Sequence, residues 1–249
     1  MRFQEYGSDN KDTILLLHGG GLSWWNYREA ADLLQDYYHI ILPILDGHAG
    51  SDRSFTSIED NASEIISFID EKLNGSVLLI GGLSLGGQIL LEMLSRRSDI
   101  CSYALVESAA VIPSKLTSAL IVPAFGCSYG LTKNKRFSKL QFRSLHINPD
   151  LFDEYYRDTC LISKRDMIAF LKANTSYGLK ASIRDSAAKI HVYAGEKETG
   201  EILRSAKEIR RMLPSCSVRI MKGLRHGELS INHADMYAEE IKRIVRSEQ

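Results

Sequence analysis

Six short runs of nearly unbroken apolar residues recur along the chain, at 13–17, 39–42, 77–80, 103–106, 190–194 and 217–221. A strand that alternates polar and apolar residues keeps one face in water. A strand that is apolar throughout is covered on both faces. Helical periodicity fills the gaps between several of these runs. It is carried by Ile58, Ala62, Ile65, Ile69 and Leu73, by Ile202, Ala206, Ile209 and Leu213, and by Ala234, Tyr237, Ile241 and Val245. The stretch 86–97, with Ile89, Leu90, Leu91, Met93 and Leu94, is apolar on more than one face and predicts a deeply packed helix. Strands separated by helices pair in parallel, because each helix returns the chain to the same end of the sheet. The expected fold is therefore α/β, a mostly parallel sheet of about six to seven strands flanked by helices.

The alternation stops between about 111 and 180. An apolar-aromatic stretch at 120–129 opens this segment, and Lys133, Lys135, Arg136, Lys139 and Arg143 follow. Two helical patterns, at 150–162 and 164–175, close it. So long a stretch without a strand exceeds a plain connection. It reads as a helical cap, residues 112–180, inserted in a core domain made of 1–111 and 181–249.

Composition narrows the class. The 249 residues carry 31 basic and 31 acidic side chains, so no net charge favours nucleic acid. No apolar run approaches the roughly 18 residues of a membrane span, and residues 1–7 lack the apolar core of a signal peptide. A cytoplasmic location is expected, with neither a membrane nor a nucleic-acid partner. Cys101, Cys127, Cys160 and Cys216 show no C-x-x-C spacing and no His/Cys cluster, so neither a metal site nor a structural disulfide is expected.

Four motifs lie just past predicted strands. Gly82-Leu83-Ser84-Leu85-Gly86 follows the run at 77–80 and opens the helix at 86. A strand that becomes a helix within so few residues forces the serine into a cramped conformation, and glycines two before and two after remove clashing Cβ atoms. His18-Gly19-Gly20-Gly21 follows the run at 13–17, and its glycines let backbone N–H groups point into a shared space. Gly195-Glu196-Lys197-Glu198 follows the run at 190–194, and His226 lies on a glycine-flanked loop past the last run. The C-terminal ends of strands are where open α/β sheets bind ligands. His39, His146, His191 and His233 read as bystanders. Trp24 and Trp25 are candidates either to line an acyl pocket or to pack the first helix on the sheet. The stretch 119–129 is a candidate either for the ceiling of that pocket or for the insertion's own core.

With these motifs in this order, the chain resembles the α/β-hydrolase fold superfamily, of the serine esterase and lipase-like kind with a helical cap. Asp46-Gly47-His48-Ala49-Gly50-Ser51-Asp52 belongs to the same resemblance, which covers nearly the whole chain. It implies Ser84 as nucleophile, His226 as base and Glu198 as the acid. It also implies backbone N–H groups of Gly20 and Leu85 as the oxyanion hole, with Gly21 a substitute donor. Two departures stand out. The acid is Glu where the family more often has Asp, which leaves Glu196 and Glu107 as rivals. The usual leading hairpin is curtailed, so one edge strand is expected to be missing. The implied function is a serine hydrolase cleaving a small-molecule carboxylic ester through an acyl-enzyme on Ser84. The alternatives are a thioesterase, a proline-iminopeptidase-like acyl hydrolase, or a ligand sensor without turnover. A serine at the elbow argues against dehalogenase and epoxide-hydrolase chemistry, and no metal, flavin or nicotinamide is implied.

Overall fold

The computed structural model describes residues 1–246, the side chain of residue 127 apart. Among them, seven strands form one sheet: β1 (Phe3–Tyr6), β2 (Thr13–Leu17), β3 (His39–Pro43), β4 (Val77–Leu83), β5 (Cys101–Glu107), β6 (Lys189–Gly195) and β7 (Ser217–Met221). Their spatial order is β1-β3-β2-β4-β5-β6-β7. Every neighbouring pair is parallel except β1 with β3. The six expected strands are all present. The leading hairpin is reduced to β1, whose Phe-Gln-Glu-Tyr lies half-buried or exposed at the sheet edge and so carries no apolar run to announce it.

Helices α1 (Arg28–Leu34), α2 (Ile58–Lys72) and α3 (Leu85–Arg96) alternate with these strands. Four more, α4 (Lys115–Thr132), α5 (Lys135–Ser144), α6 (Phe152–Leu161) and α7 (Lys164–Ser176), follow β5 without an intervening strand. The last three are α8 (Gly200–Met212), α9 (Glu228–Asn232) and α10 (Ala234–Arg246). Strand side chains point alternately to the two faces of the sheet, and this period of two divides the core. Leu15, Leu17, Ile41, Ile80 and Val106 join one apolar cluster, with α2 and α3. Ile14, Leu16, Ile40, Leu42 and Leu105 join the other, with α1 and α10. Helix α3 is buried without a break from Leu85 to Leu94, as its two-faced apolar pattern predicts.

Buried or half-buried polar contacts fasten α6 and α7 to the rest. Arg28 clamps Glu154 with two bonds of 2.7 and 2.9 Å, and the Trp25 indole donates to Asp158 at 2.8 Å. The Phe55 N–H donates to Asp166 at 2.9 Å. Gln88 exchanges bonds with Asn174. Among the described residues, no helix is long and apolar enough to cross a membrane, and no three metal-binding side chains converge. Cys101, Cys160 and Cys216 are free; the Cys127 side chain lies outside the described residues.

Candidate active site

A single residue, Ser84, separates β4 from α3, and it adopts φ 51° and ψ −110°. A residue with a side chain enters this left-handed region only when its surroundings compel it. The compulsion is visible. The Ser84 N–H is held by the Glu107 carbonyl at 2.8 Å. A Cβ on Gly82 would overlap the Gly86 carbonyl, and one on Gly86 would overlap the Leu17 carbonyl. Glycine at both positions is therefore what lets strand and helix close on the serine. The turn leaves Ser84 at the N-terminal, positive end of α3.

Two buried imidazoles shape the loop His18–Gly21. His18 Nδ1 donates to the Gly19 carbonyl at 2.9 Å, and its Nε2 accepts the Leu45 N–H at 3.1 Å. His48 does the same, Nδ1 to the Asp46 carbonyl at 3.0 Å and Nε2 from the Gly21 N–H at 3.0 Å. A carbonyl can only accept and an N–H can only donate, so these partners assign both rings as the neutral Nδ1–H tautomer. Burial favours the neutral form, lowering His48 to about 4 and His18 well below its ordinary value. Phe170 of α7 stacks on the His48 ring, centroids 4.6 Å apart.

These bonds sort the glycine donors. Gly21 is committed to His48, so it is not the spare donor the resemblance allowed. Gly19 faces Asn26 at 3.4 Å. Among the described residues, the Gly20 and Leu85 N–H groups have no acceptor. The two residues are neighbours, since a Cβ on Gly20 would stand 3.6 Å from that of Leu85.

The loop after β7 brings His226 over the end of β6. Its Nδ1 lies 3.0 Å from Glu198 Oε2, and the other Glu198 oxygen accepts the Ser108 hydroxyl. Burial pushes the Glu198 carboxyl up, but the bond to His226, the charge of that ring and the Ser108 hydroxyl outweigh it and hold the carboxyl below its ordinary value. The rivals stand elsewhere. Glu196 braces the Gly223 N–H at 2.9 Å on the surface. Glu107 is buried; one oxygen accepts the Ser230 N–H at 3.3 Å and the other has no partner. Burial raises Glu107 to about 7.

Ser84, His226, Glu198 and Gly20 line one cavity of about 370 Å³. Leu22, Leu83 and Ile231 give it apolar walls, and Lys197 and Arg225 stand among its lining residues. The Ser84 hydroxyl forms no hydrogen bond with the His226 ring in this resting arrangement, nor with any other described residue.

Three expectations need correction. Trp24 and Trp25 do not line this cavity: the Trp25 ring is buried with its N–H on Asp158, and Trp24 borders a separate cleft beside Arg157. The stretch 119–129 is not the ceiling either. That place is taken by Ser144, the last residue of α5, and by Leu145, His146 and Ile147 just beyond it. His146, read as a bystander, thus lines the cavity, with a left-handed φ of 56°. Asn232 fixes this loop by donating to the His146 carbonyl at 2.7 Å and accepting the Asn148 N–H at 2.9 Å. No local pattern marks Asn232, which lies more than eighty residues from its partners.

Comparison with known proteins places this geometry among relatives. The model of a family described as the alpha/beta hydrolase family matches residues 14–240. A curated relative, the uncharacterized hydrolase YugF of Bacillus subtilis (strain 168), is 28% identical over 102 residues. That match covers 40% of this chain and 37% of the relative, so it spans well under half the relative's length. A thermophilic esterase from Thermogutta terrifontis superposes with a TM-score of 0.80 at 14% identity, over 99% of this chain and 93% of that one. The enol-lactonase from Burkholderia xenovorans LB400 gives 0.80 at 13% identity, over 98% and 95%. At such identities the structural likeness concerns the fold.

Proposed function

Since the chain belongs to the alpha/beta hydrolase family, we propose that it is a serine hydrolase cleaving a small-molecule carboxylic ester through an acyl-enzyme on Ser84, with 112–180 as the cap over its site. The observation that carries this reading is a shared cavity. It gathers a strained serine, an imidazole on a buried carboxylate, and Gly20 with its unused N–H; Leu85, the second unused donor, adjoins Gly20.

In the proposed reaction, the substrate carbonyl enters between Ser84 and the N–H groups of Gly20 and Leu85. The hydroxyl turns to His226, a bond that commonly tightens only once substrate is bound. His226 Nε2 takes the hydroxyl proton as Oγ bonds to the carbonyl carbon, and the oxyanion rests on the two N–H groups. Glu198 keeps Nδ1 protonated and stabilises the imidazolium. The imidazolium then protonates the departing alcohol. The same ring then takes a proton from water as the water oxygen bonds to the acyl carbon, and gives it to Ser84 Oγ as the acyl–Oγ bond breaks and the acid leaves. Each oxyanion donor contributes about 3 kcal/mol to lowering the barrier.

Among the lining residues the only carboxylate is Glu198, while Lys197 and Arg225 are cationic. A substrate ammonium would find no counter-charge, which argues against the iminopeptidase alternative. A fluorophosphonate should label Ser84, and Ser84→Ala should lose both labelling and turnover of p-nitrophenyl esters. Glu198→Gln should lower kcat/KM by about 10³- to 10⁴-fold, and Glu196→Gln should leave it unchanged. Labelling that survives Ser84→Ala would remove this serine from the chemistry. One turnover followed by stoichiometric retention of product would mark a sensor instead.

A further inference from the structure

Helix α4 departs from the other helices. An amphipathic helix buries one apolar face, but α4 is apolar on both. Ile121 is buried, and Phe125 and Tyr129 pack against the main core. On the opposite side Leu116, Leu120 and Leu131 are 74%, 57% and 49% exposed. With Ala124 they recur at spacings of four, four and seven residues, which is a single stripe along the helix. Leu140 on α5 is 66% exposed as well. A helix apolar all round belongs in a protein core or against hydrocarbon, and a contiguous exposed stripe marks a contact surface.

The charges carried by α4 and α5 themselves have one sign. From Lys115 to Ser144 the chain carries Lys115, Lys133, Lys135, Arg136, Lys139 and Arg143 and no carboxylate, although its total charge is zero. Among the described residues, only Lys135 of these six has a carboxylate partner, Asp153 at 3.0 Å.

We propose that α4 and α5 form a docking face for an anionic lipid surface, with the leucines entering the boundary between headgroups and acyl chains and the cations meeting lipid phosphates. No described helix can cross a bilayer, so the protein lies on the layer. The expectation of no membrane partner rested on the missing span and does not bear on this mode. A second copy is a poorer occupant, because two-fold pairing of this face would set its cations against one another. A shaped protein partner is also less apt, because the stripe is the outward side of a helix, a ridge to which a fluid layer conforms. The chain runs from α5 directly into the cavity roof at Ser144, so docking brings the cavity close to amphiphiles in the layer. That last consequence depends on the hydrolase reading; docking itself does not.

The test is co-sedimentation of the full chain with vesicles of phosphatidylcholine, alone or mixed two to one with phosphatidylglycerol. Partition onto the anionic vesicles is expected, with high salt releasing the protein. Leu120→Ser with Leu131→Ser should weaken partition about tenfold or more, and Arg136→Glu with Arg143→Glu by about as much. Both variants should keep the wild-type melting midpoint and the wild-type rate on a water-soluble ester, so loss of docking and loss of hydrolysis are read separately. Absence of partition onto anionic vesicles overturns the proposal, as does partition that neither variant changes. A dimer dispersed by the serine variant, without lipid binding, would also overturn it and assign the face to a second copy.

Discussion

Glu107 shows how one buried carboxyl can serve structure rather than chemistry. Its carbonyl holds the Ser84 N–H and its side chain holds the Ser230 N–H, so it ties the serine turn to the helix that follows His226. In the unfolded chain the carboxyl titrates near 4.3, whereas in the fold it titrates at about 7. Between these values the unfolded chain has lost a proton that the folded chain keeps, so stability falls as pH rises through this window. Glu107→Gln keeps an acceptor for Ser230 and removes the titration. It should be more stable than the wild type at pH 8, by up to about 3 kcal/mol, and show no gain at pH 4. Denaturant midpoints at the two pH values measure this, and equal midpoints at pH 8 would refute it. At this scale the sequence was readable where chemistry demands a residue type. Glycine beside Ser84 and an acid past β6 are such demands. Glu198 stood ahead of Glu196 and Glu107 only through the family resemblance; that its carboxylate is the one 3.0 Å from the His226 ring depends on which side chain the fold turns that way.

The loop His18–Gly21 carries the corresponding lesson for an element. Its three glycines mark a donor-rich turn, but which N–H stays free is decided by His48, thirty residues downstream in the sequence motif of another strand end. His48 titrates near 6.5 when unfolded and at about 4 when folded. Between those values the unfolded chain binds a proton that the folded one refuses, so stability falls as pH drops from 6.5 toward 4. The loss is about 3 kcal/mol for this ring, and His18 acts in the same direction. His48→Gln retains an acceptor for Gly21 and should flatten the acid slope of the denaturant midpoint; an unchanged slope would place the titration elsewhere. Strands β2 to β6 were legible because most of their residues are covered on both faces, and β7, half-buried or exposed at the other edge, through Val218, Ile220 and Met221. Edge strand β1 mixes polar and apolar residues and was not. Helix α4 escaped notice because, with apolar residues on both sides and Pro123 inside it, no period stands out.

Across the whole molecule, the segment from α4 to α7 is placed by contacts between residues far apart in sequence. Trp25 shows this: of its two sequence readings, pocket wall or packing residue, the fold takes the second, with the ring buried in the core and its N–H on Asp158, 133 residues on. Trp25→Phe should leave one oxygen of that buried carboxylate without its donor while Arg157 keeps the other. The expected cost is about 1–3 kcal/mol in the denaturant midpoint, with faster proteolysis inside 112–180. A midpoint equal to the wild type would show that this bond does not fasten the segment.

Asn232 grips the loop above the cavity only by main-chain atoms, one carbonyl and one amide hydrogen. Its hold is indifferent to the identity of the residues it suspends. Leu145, exposed at the cavity, could therefore be exchanged for a bulkier or smaller side chain to change the shape of the cavity, while the loop keeps its mooring.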